Sequence, residues 1–326
     1  MKKILMAILI IVGVLSCVTD NSIQVTYIDQ SILSNAIHCK EELLDVNDSI
    51  FVGSSDFFVY KDSILIISKN NPKDGCFLEI RRLEDKKLIA KYFRKGNGKE
   101  ELLSANVDIN GNLLFVNDYV KSQFSIMDID SIIENKDYKC ILHKNSMTSS
   151  PTVVPYKGTF LVENPYCYND SDMSILQGVE QGNPRFLKLN ELQDDFESDK
   201  FVYNTRNVAV DGRIICNLKN NNIVYAHFGK SILEFYDDSL LLKKMVKGPL
   251  KMDIEYSVYA ISGITQKQVA YKNRIPYSYL GFCCDMNYVY LLYIGDYLKK
   301  ETDIYNMSSY ILKFDWNGNF EKSYYI

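Results

Sequence analysis

The 326-residue chain is 47% hydrophobic and 13% aromatic, with 24 tyrosines and 16 phenylalanines against 7 prolines. That composition excludes a disordered chain and favours strands, where aromatic and β-branched side chains fit a pleated surface. A formal net charge of -4 leaves no broad basic field, so nucleic acid is excluded as a partner.

Lys2 and Lys3 open the chain, Ile4 to Leu15 form an apolar run too short to span a bilayer, and Val14-Leu15-Ser16-Cys17 closes it. This ending resembles the lipobox of bacterial lipoproteins. The resemblance implies cleavage before Cys17 and acylation of that residue, and several acyl chains on one residue anchor a protein stably. An ordinary secretory signal with an incidental cysteine is the alternative. Val18 rather than an aspartate follows Cys17, which for lipoproteins of this kind implies the outer membrane, facing either the periplasm or the cell surface. The expected organisation is a signal peptide over 1–16, a lipid-anchored tether over 17–35 and one domain over 36–326. Of 8 cysteines, seven remain after Cys17; they are scattered singly except for Cys283-Cys284 and define no disulfide framework. Small buried hydrophobes are the better reading of most of them, with a vicinal disulfide at the adjacent pair as the alternative.

From there a unit recurs. Phe77 to Leu83 leads through Glu84-Asp85-Lys86-Lys87 to Leu88–Phe93; Ile232–Tyr236 leads through Asp237-Asp238-Ser239 to Leu240–Val246; Tyr310–Asp315 leads through Trp316-Asn317-Gly318-Asn319 to Phe320–Tyr324. Each alternates apolar and polar residues at period two around a short turn, the signature of a hairpin. Weaker copies lie at Phe124–Asp128 and Phe186–Leu189. A buried-type strand precedes each hairpin: Ser63–Ile67, Asn112–Val116, Gly158–Val162, Gly212–Cys216 and Tyr288–Tyr293. Such units hide their apolar faces when four-stranded sheets are arranged radially, at the ~40–45-residue spacing of propeller blades. A large β-sandwich or barrel of similar hairpins is the alternative. Asp253 to Asn273 reads as an inserted loop or extra outer strands, and a sixth blade would combine residues between Ile37 and Val52 with strands from the other end of the chain.

The connector Phe93-Arg94-Lys95-Gly96-Asn97-Gly98-Lys99-Glu100-Glu101-Leu102 resembles the Gly-x-Gly-x-x-Glu-Leu/Phe linker of TolB-like six-bladed β-propeller lipoproteins of Gram-negative bacteria. Gly96, Gly98, Glu101 and Leu102 fit that pattern, and Lys99 stands where proline is common. Asp108-x-Asn110-Gly111-Asn112-Leu113 and Asp118 are similar to that family's blade opening, and Lys247-Gly248-Pro249 to a degenerate second linker. The resemblance implies an all-β six-bladed propeller of four-stranded antiparallel blades, its ring closed by the N- and C-terminal strands. It implies a scaffold and no reaction.

Enzyme signatures are absent: no His-Glu-x-x-His, no Cys-x-x-Cys, no Gly-x-Ser-x-Gly. In Gly96-Asn97-Gly98-Lys99, Phe93 and Glu100 occupy positions a phosphate loop needs for glycine and hydroxyl. His38, His143 and His227, the only histidines, sit in separate parts of the repeat and suit structural roles better than a shared metal site. Asp108, Asp118, Asp211 and Asp285 fall near blade openings, where glycan-cleaving propellers carry paired acids, but turn chemistry explains them equally. Two loops combine proline stiffness, paired tyrosines and charge: Asn164–Asp172, with Tyr166, Tyr168, Asp170 and Asp172, and Arg274–Tyr279, with Arg274, Tyr277 and Tyr279. Exposed tyrosines offer rigid amphipathic contact area for a sugar ring or a protein, and packing between blades is the competing use. The expectation is an exported, lipid-anchored, non-catalytic binding or assembly module with no cofactor and no metal, taking a glycan or an outer-membrane protein. The alternative is a glycan-active hydrolase or lyase with acids in its central funnel.

Overall fold

The computed structural model describes residues 23–39, 54–135, 138–144, 153–156, 159–163, 173–176, 185–187, 212–217, 219–252, 256–260, 267–271, 275–298 and 307–326. The chain starts with β1 (Gln24–Tyr27), the single turn α1 (Ser31–Ser34) and β2 (Ile37–His38). A first meander follows: β3 (Ser54–Tyr60), β4 (Ile64–Lys69), β5 (Cys76–Arg82) and β6 (Leu88–Arg94). The second holds β7 (Asn106–Asn110), β8 (Leu113–Asp118) and β9 (Gln123–Asp128), then helix α2 (Ile129–Glu134) and β10 (His143–Lys144). The third is β11 (Val153–Tyr156), β12 (Thr159–Glu163), β13 (Met173–Leu176) and β14 (Arg185–Leu187). The fourth is β15 (Gly212–Cys216), β16 (Ile223–His227), β17 (Ile232–Tyr236) and β18 (Leu242–Lys247). After the pair β19 (Tyr256–Ala260) and β20 (Lys267–Tyr271), the last meander is β21 (Ile275–Cys284), β22 (Tyr288–Leu298), β23 (Tyr310–Asp315) and β24 (Phe320–Tyr325).

Within each meander, strands consecutive in sequence pair antiparallel. The result is an all-β propeller of antiparallel sheets, and all three strong hairpin repeats and their preceding strands fall where the sequence pattern places them. The first turn shows how local chemistry sets the register: Lys61 and Asp62 take φ of 47° and 50° in the three-residue connection between Tyr60 and Ile64, and Ser63 N donates to Tyr60 O at 3.2 Å. Neighbouring sheets share apolar clusters. One runs from Ile66, Leu78 and Ile80 of the first sheet to Leu114, Val116 and Met127 of the second. A second joins Val154 and Leu161 to Ile214 and Tyr225, and a third joins Val224, Leu233 and Phe235 to Val289, Leu291 and Phe314. The fourth sheet therefore packs directly on the last one, and β19 and β20, which pair with each other, form a two-stranded excursion at the position expected for an insertion.

The blade count differs from expectation, while the N- and C-terminal strands do share one sheet. Among the described residues there are five sheets of four or five strands and one of two, so six complete blades are not present there. The N-terminal segment does reach the sheet that holds the C-terminal strand, but as an added outer strand: β2 pairs parallel with β24, Ile37 opposite Tyr324. Just before it, β1 pairs parallel with β18, Gln24 opposite Lys244. The reason is available edge. β18 and β24 each end a meander and present unpaired backbone groups, which the incoming segment satisfies. Between them Ile28 N donates to Lys247 O at 2.8 Å, Ile28, Ile32 and Leu33 join the third cluster, and Cys39 N donates to Tyr325 O at 3.0 Å. Residues 24–38, of which 24–35 fall within the stretch expected to be tether, thus clasp the outer edges of two sheets.

The connector resembling a family linker is built by its own residues. Gly96 N donates to Leu102 O at 2.9 Å, and Gly98 N to Glu101 Oε2 at 2.7 Å. A Cβ on Gly96 would displace that carboxylate from its place. Leu102 is fully buried in the first cluster. The first sheet also holds an ion network: Glu79, 2% exposed, meets Lys69 at 2.7 Å, Arg81 at 2.6 Å and Lys91 at 3.1 Å, with Asp74 bridging the two lysines.

Candidate functional site

Most acids near the blade openings are consumed by the fold. Asp118 is wholly buried and accepts from Leu103 N at 2.7 Å, Ser104 Oγ at 2.8 Å, and Val120 N and Lys121 N at 3.1 Å each. Asp285 caps a turn through Asn287 N and Tyr288 N at 2.7 and 2.8 Å and accepts from Tyr290 OH at 3.1 Å. Asp128 caps α2 through Ser131 N at 2.7 Å. Turn and cap chemistry explains these three. Asp211 lies outside the described residues.

Asp108 on β7 is different. Among the described residues its side chain takes a single hydrogen bond, from Ile109 N at 2.9 Å, and burial pushes its carboxyl up to about 6. The Arg213 guanidinium, on β15, works against that shift, and the Asp56 carboxylate, on β3, adds to it. Cys284, on β21, is pushed up to about 12 by burial, with Asp108, Cys283, Cys216 and Asp285 contributing in the same direction. Asp56, Asp108, Arg213 and Cys284 belong to four different sheets, each on the first strand of its meander. Asp108 is coupled electrostatically to Arg213, Asp56 and Cys284, so two carboxylates, a guanidinium and a thiol from four sheets share one electrostatic neighbourhood. Arg213 also lies over the Phe228 ring at 5.5 Å from its centre, which orients its plane. A carboxyl that titrates near pH 6 beside a fixed cation can donate or accept a hydrogen bond to a polar ligand and could move a proton. The neighbouring thiols stay protonated and are poor nucleophiles.

The tyrosine loops fare unevenly. Tyr166, Tyr168, Asp170, Asp172 and Arg274 lie outside the described residues, as does Cys17. Tyr277 is half-buried on β21, opposite Asp296. Tyr279 is corrected to a core residue: 1% exposed, its hydroxyl donates to Gly248 O at 2.8 Å and its ring lies 5.2 Å from that of Tyr293. The segment expected to be a contact loop is from Ile275 onward the start of an edge strand, where Pro276 is tolerated because no ladder bond is asked of it on its open side.

The histidines are separate, as expected. His38 packs edge-on against Tyr325, His143 stacks on Phe124 at 5.4 Å, and His227, fully buried, meets Glu234 at 3.3 Å. Among the described residues no three metal-ligating side chains gather, and none of the six described cysteines is in a disulfide, including Cys283 and Cys284, which alternate between the two faces of β21. No helix among them is long and apolar enough to cross a membrane. The residues that sequence reasoning missed are Asp56 and Arg213. Their signal is a lone charge inside the apolar run that opens a repeat, Asp56-Phe57-Phe58-Val59 and Gly212-Arg213-Ile214-Ile215.

No family model matches the chain, and no curated protein matches its sequence. Similar solved structures include a member of the DUF4221 family from Bacteroides vulgatus, 11% identical with a TM-score of 0.49, covering 83% of this chain and 80% of that one. A protein described as exported, from Bacteroides fragilis, is 10% identical with a TM-score of 0.44 over 94% and 80%. A virginiamycin B lyase from Staphylococcus aureus is 10% identical with a TM-score of 0.40 over 83% and 84%. Likeness this distant says nothing of ligand or activity.

Proposed function

We propose that the chain is an exported, lipid-anchored binding module of the outer membrane that holds a polar ligand, a glycan or a segment of an outer-membrane protein, at the inner ends of its sheets. The observation that carries the reading is Asp108: a half-buried acid with one hydrogen bond among the described residues, under the electrostatic influence of Arg213, kept in a place where desolvation opposes its charge. Folds rarely retain such a group without use. Cys17 would supply the anchor, and Tyr166, Tyr168 and Tyr277 would supply contact area at the rim. The TolB-like six-bladed plan belongs to the same proposal. Phe57 and Val59 on β3 are 56% and 47% exposed, an apolar flank that one more neighbouring sheet would cover.

A second reading, a glycan-active enzyme, is favoured by one feature: two carboxylates from neighbouring meanders, Asp56 and Asp108, influence each other electrostatically. One experiment addresses both. Soluble oligosaccharides and detergent-solubilised outer-membrane proteins are offered to the purified chain, and retention and turnover are measured together with melting. Retention without turnover, lost in Arg213→Gln at unchanged melting, supports the binding module. Turnover abolished by Asp108→Asn would establish the enzyme instead.

A further inference from the structure

Ile23, Val25 and Tyr27 lie in a row and are 38%, 44% and 75% exposed. At period two they share one face of the β1 segment. Val25 lies opposite buried Met245 and Tyr27 opposite Lys247, so the three prolong a face of the fourth sheet beyond its outer rim. Leu241, 53% exposed, sits in the turn leading into β18, at the end where residue 23 arrives. The opposite face of this segment is conventional: Thr26 is half-buried and Ile28 packs into the core. β1 is the edge of its sheet, and an edge strand whose apolar side chains point outward calls for a cover.

We propose that this rim rests on the lipid surface itself, at the boundary of headgroups and acyl chains. The inference rests on acylation of Cys17. Only six residue steps lie between Cys17 and Ile23, at most about 22 Å of extended chain, so the anchor holds this rim within that distance of the bilayer. The clasp of β1 on β18 then fixes the propeller's orientation, because the strand that follows the anchor belongs to the folded body. Tyrosine suits the depth, with an apolar ring and a hydroxyl that meets headgroup water. Lys243, the exposed cation beside Leu241, is held by Asp237 at 3.0 Å, so local charge is balanced and the contact needs no anionic lipid.

The test uses the purified acylated full chain in phosphatidylcholine vesicles whose acyl chains carry bromine, a contact quencher of indole. Tyr27→Trp reports the rim, and Met286→Trp, at a 67% exposed turn residue between β21 and β22 that lies by the first strand of the fourth sheet through Asn217, reports the inner edge. Native Trp316, 5% exposed, supplies the background to subtract. The expected result is a blue shift and loss of emission for Tyr27→Trp with Met286→Trp unchanged. Equal emission at the two sites in protein that carries acyl mass and floats with the vesicles overturns the rim contact and leaves the anchor standing. Absence of both acyl mass and flotation overturns the anchor and the rim contact together. A blue shift that requires native outer membranes and is missing in pure lipid identifies a protein cover and overturns the lipid assignment.

Discussion

Asp118 and Asp108 sit on adjacent strands of one sheet and have opposite environments. Asp118, on β8, is surrounded by four donors, three of them backbone N–H groups of the connector and the following turn. Asp108, on β7, has one donor and a carboxyl pushed up to about 6. Both look alike in sequence, an aspartate near a blade opening. The difference teaches that the position of a strand in its meander decides the use of its acid. Acids beside a turn or connector find several backbone donors and become part of the fold, whereas Asp108 on the first strand finds one and is otherwise influenced by charged side chains of other sheets.

The largest expected effect comes from a third acid that lies wholly on the structural side. Glu79→Ala leaves Lys69, Arg81 and Lys91 facing a partly desolvated void and should cost about 3–5 kcal/mol, read by denaturant unfolding. Its carboxyl is held below the ordinary range: burial opposes the shift, and the hydrogen bonds from Lys69, Arg81 and Lys91 outweigh it. The stabilisation is therefore whole above the ordinary value of 4.5 and is lost as pH falls through the lowered one. Next, Asp118→Ala should cost about 3 kcal/mol, because buried connector N–H groups lose their acceptor. A cost below about 1 kcal/mol would erase the contrast with Asp108.

Asp108→Asn should act in the opposite direction. Its native carboxyl titrates at about 6 against an ordinary 3.8, so below both values the charge is absent in either state and the variant gains nothing. As pH rises through that window the native state comes to carry a charge that burial disfavours, and wild-type stability falls relative to the variant. At pH 8 the variant should be more stable by on the order of 2 kcal/mol, a sign that separates a retained functional acid from a structural one. The smallest effect belongs to the tyrosines. Tyr279→Phe should cost about 1 kcal/mol through the lost bond to Gly248 O, while Tyr277→Phe should be neutral within about 0.5 kcal/mol.

Much of the fold was legible in the sequence because its signal is local. Period-two alternation around short turns locates β5–β6, β17–β18 and β23–β24, and the insertion before β21 shows itself as a break in spacing. The connector was legible as well, since Gly96, Gly98 and Glu101 interact within a few residues of one another. What could not be read depends on contacts distant in sequence. The parallel pairing of β1 with β18 joins residues 24 and 244, and no periodicity encodes it. Tyr279 and Tyr277 share a segment of identical chemistry and are told apart only by the Gly248 and Tyr293 neighbours that the last sheet brings to Tyr279. Asp108 was visible only as one acid among several, because its distinction lies in Asp56, Arg213 and Cys284, which come from three other sheets.

The most direct test of this account follows the Asp108 carboxyl itself. With aspartate labelled at the side-chain carboxyl carbon, and Asp108→Asn assigning the resonance, a carbon NMR titration should show a midpoint near 6. A midpoint at the ordinary 3.8 would mean that Asp108 is solvated or fully satisfied, and would contradict the assignment of the inner ends of the sheets as the working site.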